Sequence, residues 1–98
     1  MRVQQMVNSR GNMVNNQFVI DNGAVLTFQS YRSQIADVDY NNKVVTIYED
    51  YDYSNTTNKY HNLFFEKYAN LSGLANISEL RKALKSGSHG AWKVVMAS

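Results

Sequence analysis

The sequence contains no cysteine and no proline, and only five of its 98 residues are glycine. Without cysteine the chain cannot form disulfide bonds, thiolate metal sites or a cysteine nucleophile. No apolar run approaches the roughly 20 residues that a membrane-spanning helix needs, so we expect no membrane partner. The first six residues lack the apolar core of a secretion signal, which predicts a cytoplasmic protein.

The chain length bounds the number of domains. Ninety-eight residues leave room for a single domain over residues 1–98, because two separate cores would each be too small to be stable. With 44% hydrophobic and 18% charged residues, the composition is globular rather than disordered. Residues 1–13 show no clear periodicity and predict a loose amino-terminal arm or a loose first strand.

The first half of the sequence predicts β-strands. Residues 14–31 are predicted to form a β-hairpin, since Asn22 and Gly23 are the pair of residues that a two-residue turn prefers. Centring the turn on them would pair Ile20 with Val25. Shorter runs predict further strands at 35–38 and 44–48, joined by a turn in which the Asn-Asn pair is able to adopt left-handed conformations, and a closing strand at 91–96.

Two helices are predicted after residue 53. Apolar residues recur at helical spacing in the first helix, at Tyr60, Phe64, Tyr68 and Leu71. Thr56 or Thr57 could supply its N-cap, while Asn76 could cap a second helix that ends at Gly87. The element order predicts an α+β domain, with an antiparallel sheet of about four to five strands and two helices packed on one side.

The charge is uneven along the chain and suggests a binding surface. Residues 37–52 carry five acidic side chains against Lys43, a net charge of −4, although the whole chain has +2. Tyrosines interleave with these acids and could supply rigid contact area for a partner. The predicted binding residues are the acids and tyrosines of this segment: Asp37, Asp39, Tyr40, Glu49, Asp50, Tyr51, Asp52 and Tyr53.

The sequence offers little that is typical of an enzyme or a metal site. His61 is expected on the surface of the first helix and His89 in an exposed connection, and no zinc or nucleophile motif includes either. Asp50, Asp52 and Ser54 alternate like the start of a calcium loop, but the glycine and the glutamate that complete such a loop are missing. We expect a non-enzymatic protein without metal or cofactor.

Several segments resemble a family of small uncharacterised phage and prophage proteins. The similarity covers roughly residues 14–65 and rests on the patterns NNQFVI (15–20), FQSY (28–31) and DYSxTTxKY (52–60). The family has no established function, so no site residue can be transferred from it. The resemblance implies a phage origin and hence the cytoplasm of a host bacterium.

Three functional hypotheses follow. The leading one is a phage accessory protein that inhibits a host defence protein, such as a CRISPR effector, because its acidic, tyrosine-rich edge occludes a basic nucleic-acid-binding surface. The first alternative is a single-stranded nucleic-acid-binding protein that uses Arg2, Arg10 and Arg32 with Phe28 and Tyr31 on a sheet surface. The second is an assembly protein that oligomerises, as a homodimer or larger, through a sheet edge.

Overall fold

Seven strands form one mixed sheet in the computed structural model, which describes residues 1–52 and 54–97. In chain order they are β1 (Arg2–Val7), β2 (Met13–Asp21), β3 (Val25–Ser30), β4 (Ser33–Asp39), β5 (Val44–Ile47), β6 (Ser88–His89) and β7 (Trp92–Met96). Their order across the sheet is β1-β2-β3-β4-β5-β7-β6. The predicted α+β class is confirmed, whereas the predicted number of four to five strands is too low.

The position of β7 explains why the sheet is not purely antiparallel. β7 lies between β5 and β6 and runs parallel to β5, so that Val45 pairs with Val94. A parallel neighbour needs a crossover connection, and here the helical residues between β5 and β6 supply it. β1 pairs with β2 from Arg2 to Val7, so this segment, predicted as a loose arm or a loose first strand, is an edge strand of the sheet.

The hairpin of β2 and β3 forms with a longer turn than predicted. Ile20 pairs with Thr27 rather than with Val25. The side chain of Asn22 accepts hydrogen bonds from the backbone N–H groups of Ala24 and Val25 at 3.0 and 2.8 Å, which stabilises this wider loop. Because the pairing slips by two positions, an even number, Ile20 and Val25 still lie on the same face of the sheet.

Two α-helices follow β5, separated by irregular turns. They are α1 (Asn55–Leu63) and α2 (Ile77–Ser86), and a π-helix (Phe64–Tyr68) continues α1 directly. The predicted caps of α2 are confirmed, since Asn76 accepts from the N–H of Ser78 and Gly87 has a left-handed φ of 84°. For α1 the prediction was wrong: Ser54 is the N-cap and accepts from the N–H of Thr57 at 3.1 Å.

The helices cover one face of the sheet. Phe28 on β3 stacks on Phe64 of the π-helix with ring centroids 5.4 Å apart, and Ser30 bonds to Thr57 of α1. Leu80 of α2 is buried in the same apolar cluster. Among the described residues, no helix is long and apolar enough to span a membrane.

Candidate functional site

The face of the sheet opposite the helices is an extended surface that could bind a partner. One central row crosses six strands, from Val3 and Ile20 through Thr27, Asp37 and Thr46 to Val95, and none of these residues is buried. We call the side chains on this side of the sheet the open face. It comprises the central row and two flanking sets, Gln5, Phe18, Gln29 and Gln34 on one side and Val25, Asp39, Val44 and Lys93 on the other.

Asp37 lies in the middle of the open face and is held by its neighbours. Its carboxylate accepts hydrogen bonds from the hydroxyls of Thr27 at 2.5 Å and Tyr48 at 2.6 Å, and from the amide of Gln34 at 2.8 Å. The bond to Asp37, with a contribution from burial, raises the pKa of Tyr48 to about 12. The carboxylate is therefore fixed in place, with its negative charge at the centre of the face.

Asp39 follows on the same face, two residues further along β4. Its carboxylate caps the turn to β5, accepting from the N–H groups of Asn41 and Asn42 and from the side-chain amide of Asn42. These bonds, that from the Asn42 side chain above all, lower the pKa of Asp39. In this turn the left-handed residue is Lys43, with φ of 54°, and not the asparagines as predicted.

Tyr40 turns to the helical side of the molecule. Its hydroxyl donates a 2.6 Å hydrogen bond to the carbonyl of Ala69, and its ring meets Trp92 edge to face at 5.6 Å. Lys43 places its ammonium group 5.2 Å from the centre of the Trp92 ring. Burial is the main cause of the raised pKa of Tyr40, and the nearby charge of Asp21 adds to it.

The acidic segment after β5 is a short 3₁₀ turn (Glu49–Asp52) rather than the end of a strand. Its side chains bond within the protein: Asp50 accepts from the Ser33 hydroxyl at 2.9 Å, and Asp52 pairs with Arg81 of α2 at 3.0 Å. Tyr51 packs partly against the core. Hydrogen bonds to Tyr51 and then to Asp52 raise the pKa of Arg81.

The predicted binding residues consequently fall in three places. Asp37 and Asp39 share the open face, and Tyr40 lies on the helical side. Residues 49–52 lie near Ser33, at the start of β4, whereas Asp39 is at its end. At about 3.4 Å per residue, β4 is roughly 20 Å long. Tyr53, the last residue predicted to bind, lies outside the described residues. The sequence pattern did not indicate the other members of the open face, because their residue types are ordinary for strands.

Both histidines have structural contacts. His61 is fully buried, contrary to the surface position predicted for it: its Nε2 lies 3.2 Å from the carbonyl of Leu74 and its ring packs on Phe65. Burial lowers the pKa of His61 to about 4, so the ring is neutral at pH 7. The ring of His89 packs against Gly73. Within residues 1–52 and 54–97, no three histidine or acidic side chains form a metal-binding group.

The residues predicted for a nucleic-acid surface are dispersed. Phe28 is fully buried under the π-helix and cannot stack on a base. Arg2 lies at the start of β1, whereas Arg10 and Arg32 lie in the loops after β1 and β3. The one cation on the strand positions of the open face is Lys93, in the part of the chain that the structure describes.

Comparison with protein families classifies the chain. Residues 1–80 match DUF8033, which is described as a family of unknown function. The chain belongs to DUF8033. The match includes β1–β5 and α1 and ends within α2, so all of the open face except Lys93 and Val95 lies in the DUF8033 region. No curated protein and no solved structure matches the chain.

Proposed function

We propose that this protein acts by binding another protein through the open face of its sheet. The observation that carries the proposal is the central row of this face, in which six adjacent strands present half-buried or exposed side chains away from the helices. An extended surface of this kind, on which aliphatic side chains lie among polar ones, is typical of protein-interaction sites. It belongs to a framework of strands and is therefore preorganised, which limits the entropic cost of binding.

The charge of the open face favours a basic partner. Asp37 and Asp39 lie two residues apart on β4, and Lys93 alone opposes them among the strand positions of this face. A carboxylate that hydrogen bonds hold in place on the surface attracts a partner's arginine or lysine and speeds association. The same charge repels phosphates, so a protein surface suits this face better than a nucleic-acid strand.

The finer role that we propose is inhibition of a host defence protein, such as a CRISPR effector, by a phage accessory protein. Its support is the resemblance to phage proteins and the acidic character of the open face, which would compete for a basic surface that normally holds nucleic acid. In this form of the hypothesis Asp37 and Asp39 contact the target, whereas the residues of the 3₁₀ turn serve the fold.

The experiment compares two variants that add the same charge. Thr46→Arg places an arginine in the central row, and Ser78→Arg places one on the exposed surface of α2. Each protein is used to capture partners from host lysate, followed by quantitative mass spectrometry, and circular dichroism confirms that the variants fold. We expect one or more host proteins to be captured by the wild type and by Ser78→Arg but not by Thr46→Arg.

Other outcomes would contradict the proposal. Equal capture by both variants would exclude the open face as the binding surface. Retention of the wild type on single-stranded DNA at physiological salt would favour the nucleic-acid alternative, since electrostatic binding to DNA weakens steeply as salt rises. For the finer role, the purified target should lose its nucleic-acid binding in the presence of the wild type and keep it with Thr46→Arg.

A further inference from the structure

The two edges of the sheet differ in how well they are protected. One edge is β6, a strand of only two residues. The other edge is β1, which has six residues and, within the described part of the chain, pairs on one side only, with β2. Proteins protect long edge strands with lysine, proline or inward-pointing charges, because an open row of backbone groups invites another strand. β1 contains no lysine or proline, and Arg2 is its one charged residue.

Exposed apolar side chains gather beside β1. The exposed fractions are 93% for Met1, 58% for Val3, 38% for Val7 and 72% for Met13. Val3, Val7 and Met13 line a groove of about 480 Å³ that also touches Phe18 and Tyr68. Unpaired backbone and exposed aliphatic groups at one place indicate a site where a strand can be added.

Tyr68 limits the length of β1 that can accept a strand. Its hydroxyl accepts a hydrogen bond of 2.9 Å from the N–H of Val7, which covers the end of the strand. The register of β1 with β2 also shifts between Gln5 and Val7, so the strand is irregular there. The regular stretch that remains is residues 2–6, and Gln4 is its midpoint.

We propose that a second copy of this chain pairs with β1 in the antiparallel direction, with the two Gln4 side chains facing each other on a twofold axis. In this register Val3 lies opposite Gln5 of the partner subunit, and Val7 lies opposite Met1 of the partner subunit. Met13 lies beside Val7 on β2, so Met1 of the partner subunit extends the row of exposed apolar side chains that Val7 and Met13 form at the margin of the paired stretch. This inference does not depend on the proposed function.

β1 fits a copy of itself because this register brings no like charges together and keeps apolar side chains on matching faces. The residue numbers of two facing residues add up to eight, so odd-numbered residues face odd-numbered ones and even-numbered residues face even-numbered ones. The side chains of two facing residues therefore lie on the same face of the sheet. Arg2 lies opposite Met6 of the partner subunit, and the two arginines remain about 13 Å apart at 3.3 Å per residue. No like charges meet across the pair.

The size of the edge sets the expected affinity. β1 is about 20 Å long, and the molecule is 24 Å across in its thinnest direction. A contact of these dimensions has a smaller area than the roughly 800 Å² per partner of a standard interface. We therefore expect a reversible dimer with a dissociation constant in the micromolar range. The dimer would join two open faces into one continuous surface of fourteen strands.

The first test is the mass in solution. Sedimentation of the wild type should change from monomer to dimer as the concentration rises through the micromolar range. Gln4→Lys brings two ammonium groups together on the axis and should weaken the dimer about tenfold or more. The matched control, Ser88→Lys on the exposed residue of β6, should dimerise like the wild type. Thermal unfolding of each variant checks that it folds.

The second test reads out the register directly, since the natural chain has no cysteine. Directly opposed residues of an antiparallel pair have Cβ atoms close enough for a disulfide bond. Gln4→Cys should therefore form a covalent dimer under mild oxidation, whereas Ser88→Cys should remain largely monomeric. A wild type that stays monomeric at several hundred micromolar, a dimer that survives Gln4→Lys unchanged, or equal crosslinking of both cysteine variants would each overturn the proposal.

Discussion

The hydroxyl of Tyr48, directly after β5, donates a 2.6 Å hydrogen bond to the carboxylate of Asp37 on β4. This bond joins the end of one strand to the middle of its neighbour on the open face. Thr27 bonds to the same carboxylate from β3, so the side chain of Asp37 connects three successive segments of the sheet. The open face is thus organised by an acid whose acceptor sites are largely used within the protein.

We expect Tyr48→Phe to lower the free energy of unfolding by about 1 kcal/mol, because one hydrogen bond to a partly exposed carboxylate is lost. In the wild type the pKa of Tyr48 is raised to about 12, so its contribution to stability is present below the unfolded pKa near 10 and is lost as pH rises toward 12. NMR titration of the tyrosine ring carbons checks the pKa. Asp37→Asn should bring the pKa of Tyr48 back toward 10. A wild-type pKa near 10 would contradict the hydrogen bond between Tyr48 and Asp37.

Buried His61 makes stability depend on acid pH. Its pKa is about 4 in the folded protein and about 6.5 in the unfolded chain, so the unfolded state binds the extra proton first as pH falls. Stability should therefore decline from pH 6.5 downward, by about 3 kcal/mol once both states are protonated. In His61→Gln the amide can still donate to the Leu74 carbonyl but does not titrate.

Denaturant unfolding at pH 7, 5 and 4 measures this effect. The wild type should lose more stability than His61→Gln over this range, and the difference isolates the histidine from the carboxylates that titrate in both proteins. Identical pH profiles for the wild type and His61→Gln would show that the ring is not held neutral.

Gln17 on β2 is fully buried, and neither its amide nitrogen nor its amide oxygen has a hydrogen-bond partner among the described residues. A buried polar group without partners is costly. Gln17→Met has similar length and no hydrogen-bonding groups, so we expect it to raise the free energy of unfolding by about 1–2 kcal/mol. Thermal unfolding measures the change. Gln17→Glu should have the opposite sign, and a destabilised methionine variant would indicate that the amide is satisfied.

The cap of α1 can be located by comparing two alanine substitutions. Ser54→Ala removes the oxygen that accepts from the N–H of Thr57 and should cost about 1 kcal/mol. Thr56→Ala lies on the exposed first turn and should change stability little. Chemical denaturation of both variants decides between the cap seen in the structure and one of the two predicted from the sequence. A larger loss of stability in Thr56→Ala than in Ser54→Ala would indicate that the helix begins at Thr56.

Local signals in the sequence predicted part of this fold. The hairpin at Asn22 and the caps at Asn76 and Gly87 depend on short-range chemistry, which the residues themselves reveal. The parallel position of β7 depends on pairing between Val45 and Val94, 49 residues apart, and no local pattern specifies it. Residues 2–7 are weakly periodic, and their strand exists because β2 offers a partner.

The candidate site was predicted even less completely, for a related reason. Charge density along the chain predicted one site over residues 37–53, but the 3₁₀ turn after β5 places residues 49–52 away from Asp37 and Asp39 of β4. His61 is the residue after Tyr60, where the apolar stripe of the first helix begins. A helical wheel alone therefore places it at the edge of the apolar face. The segment that supplies Leu74 covers it, which only the tertiary structure reveals.

The insertion of β7 between β5 and β6 has a consequence for biosynthesis. Since Trp92–Met96 are translated after all the other strands of the described sheet, a nascent chain that ends before them presents β5 as a second unpaired edge. Completion of the sheet must therefore wait until Trp92–Met96 have left the ribosome. Premature termination near residue 80 should yield a product that aggregates or is degraded.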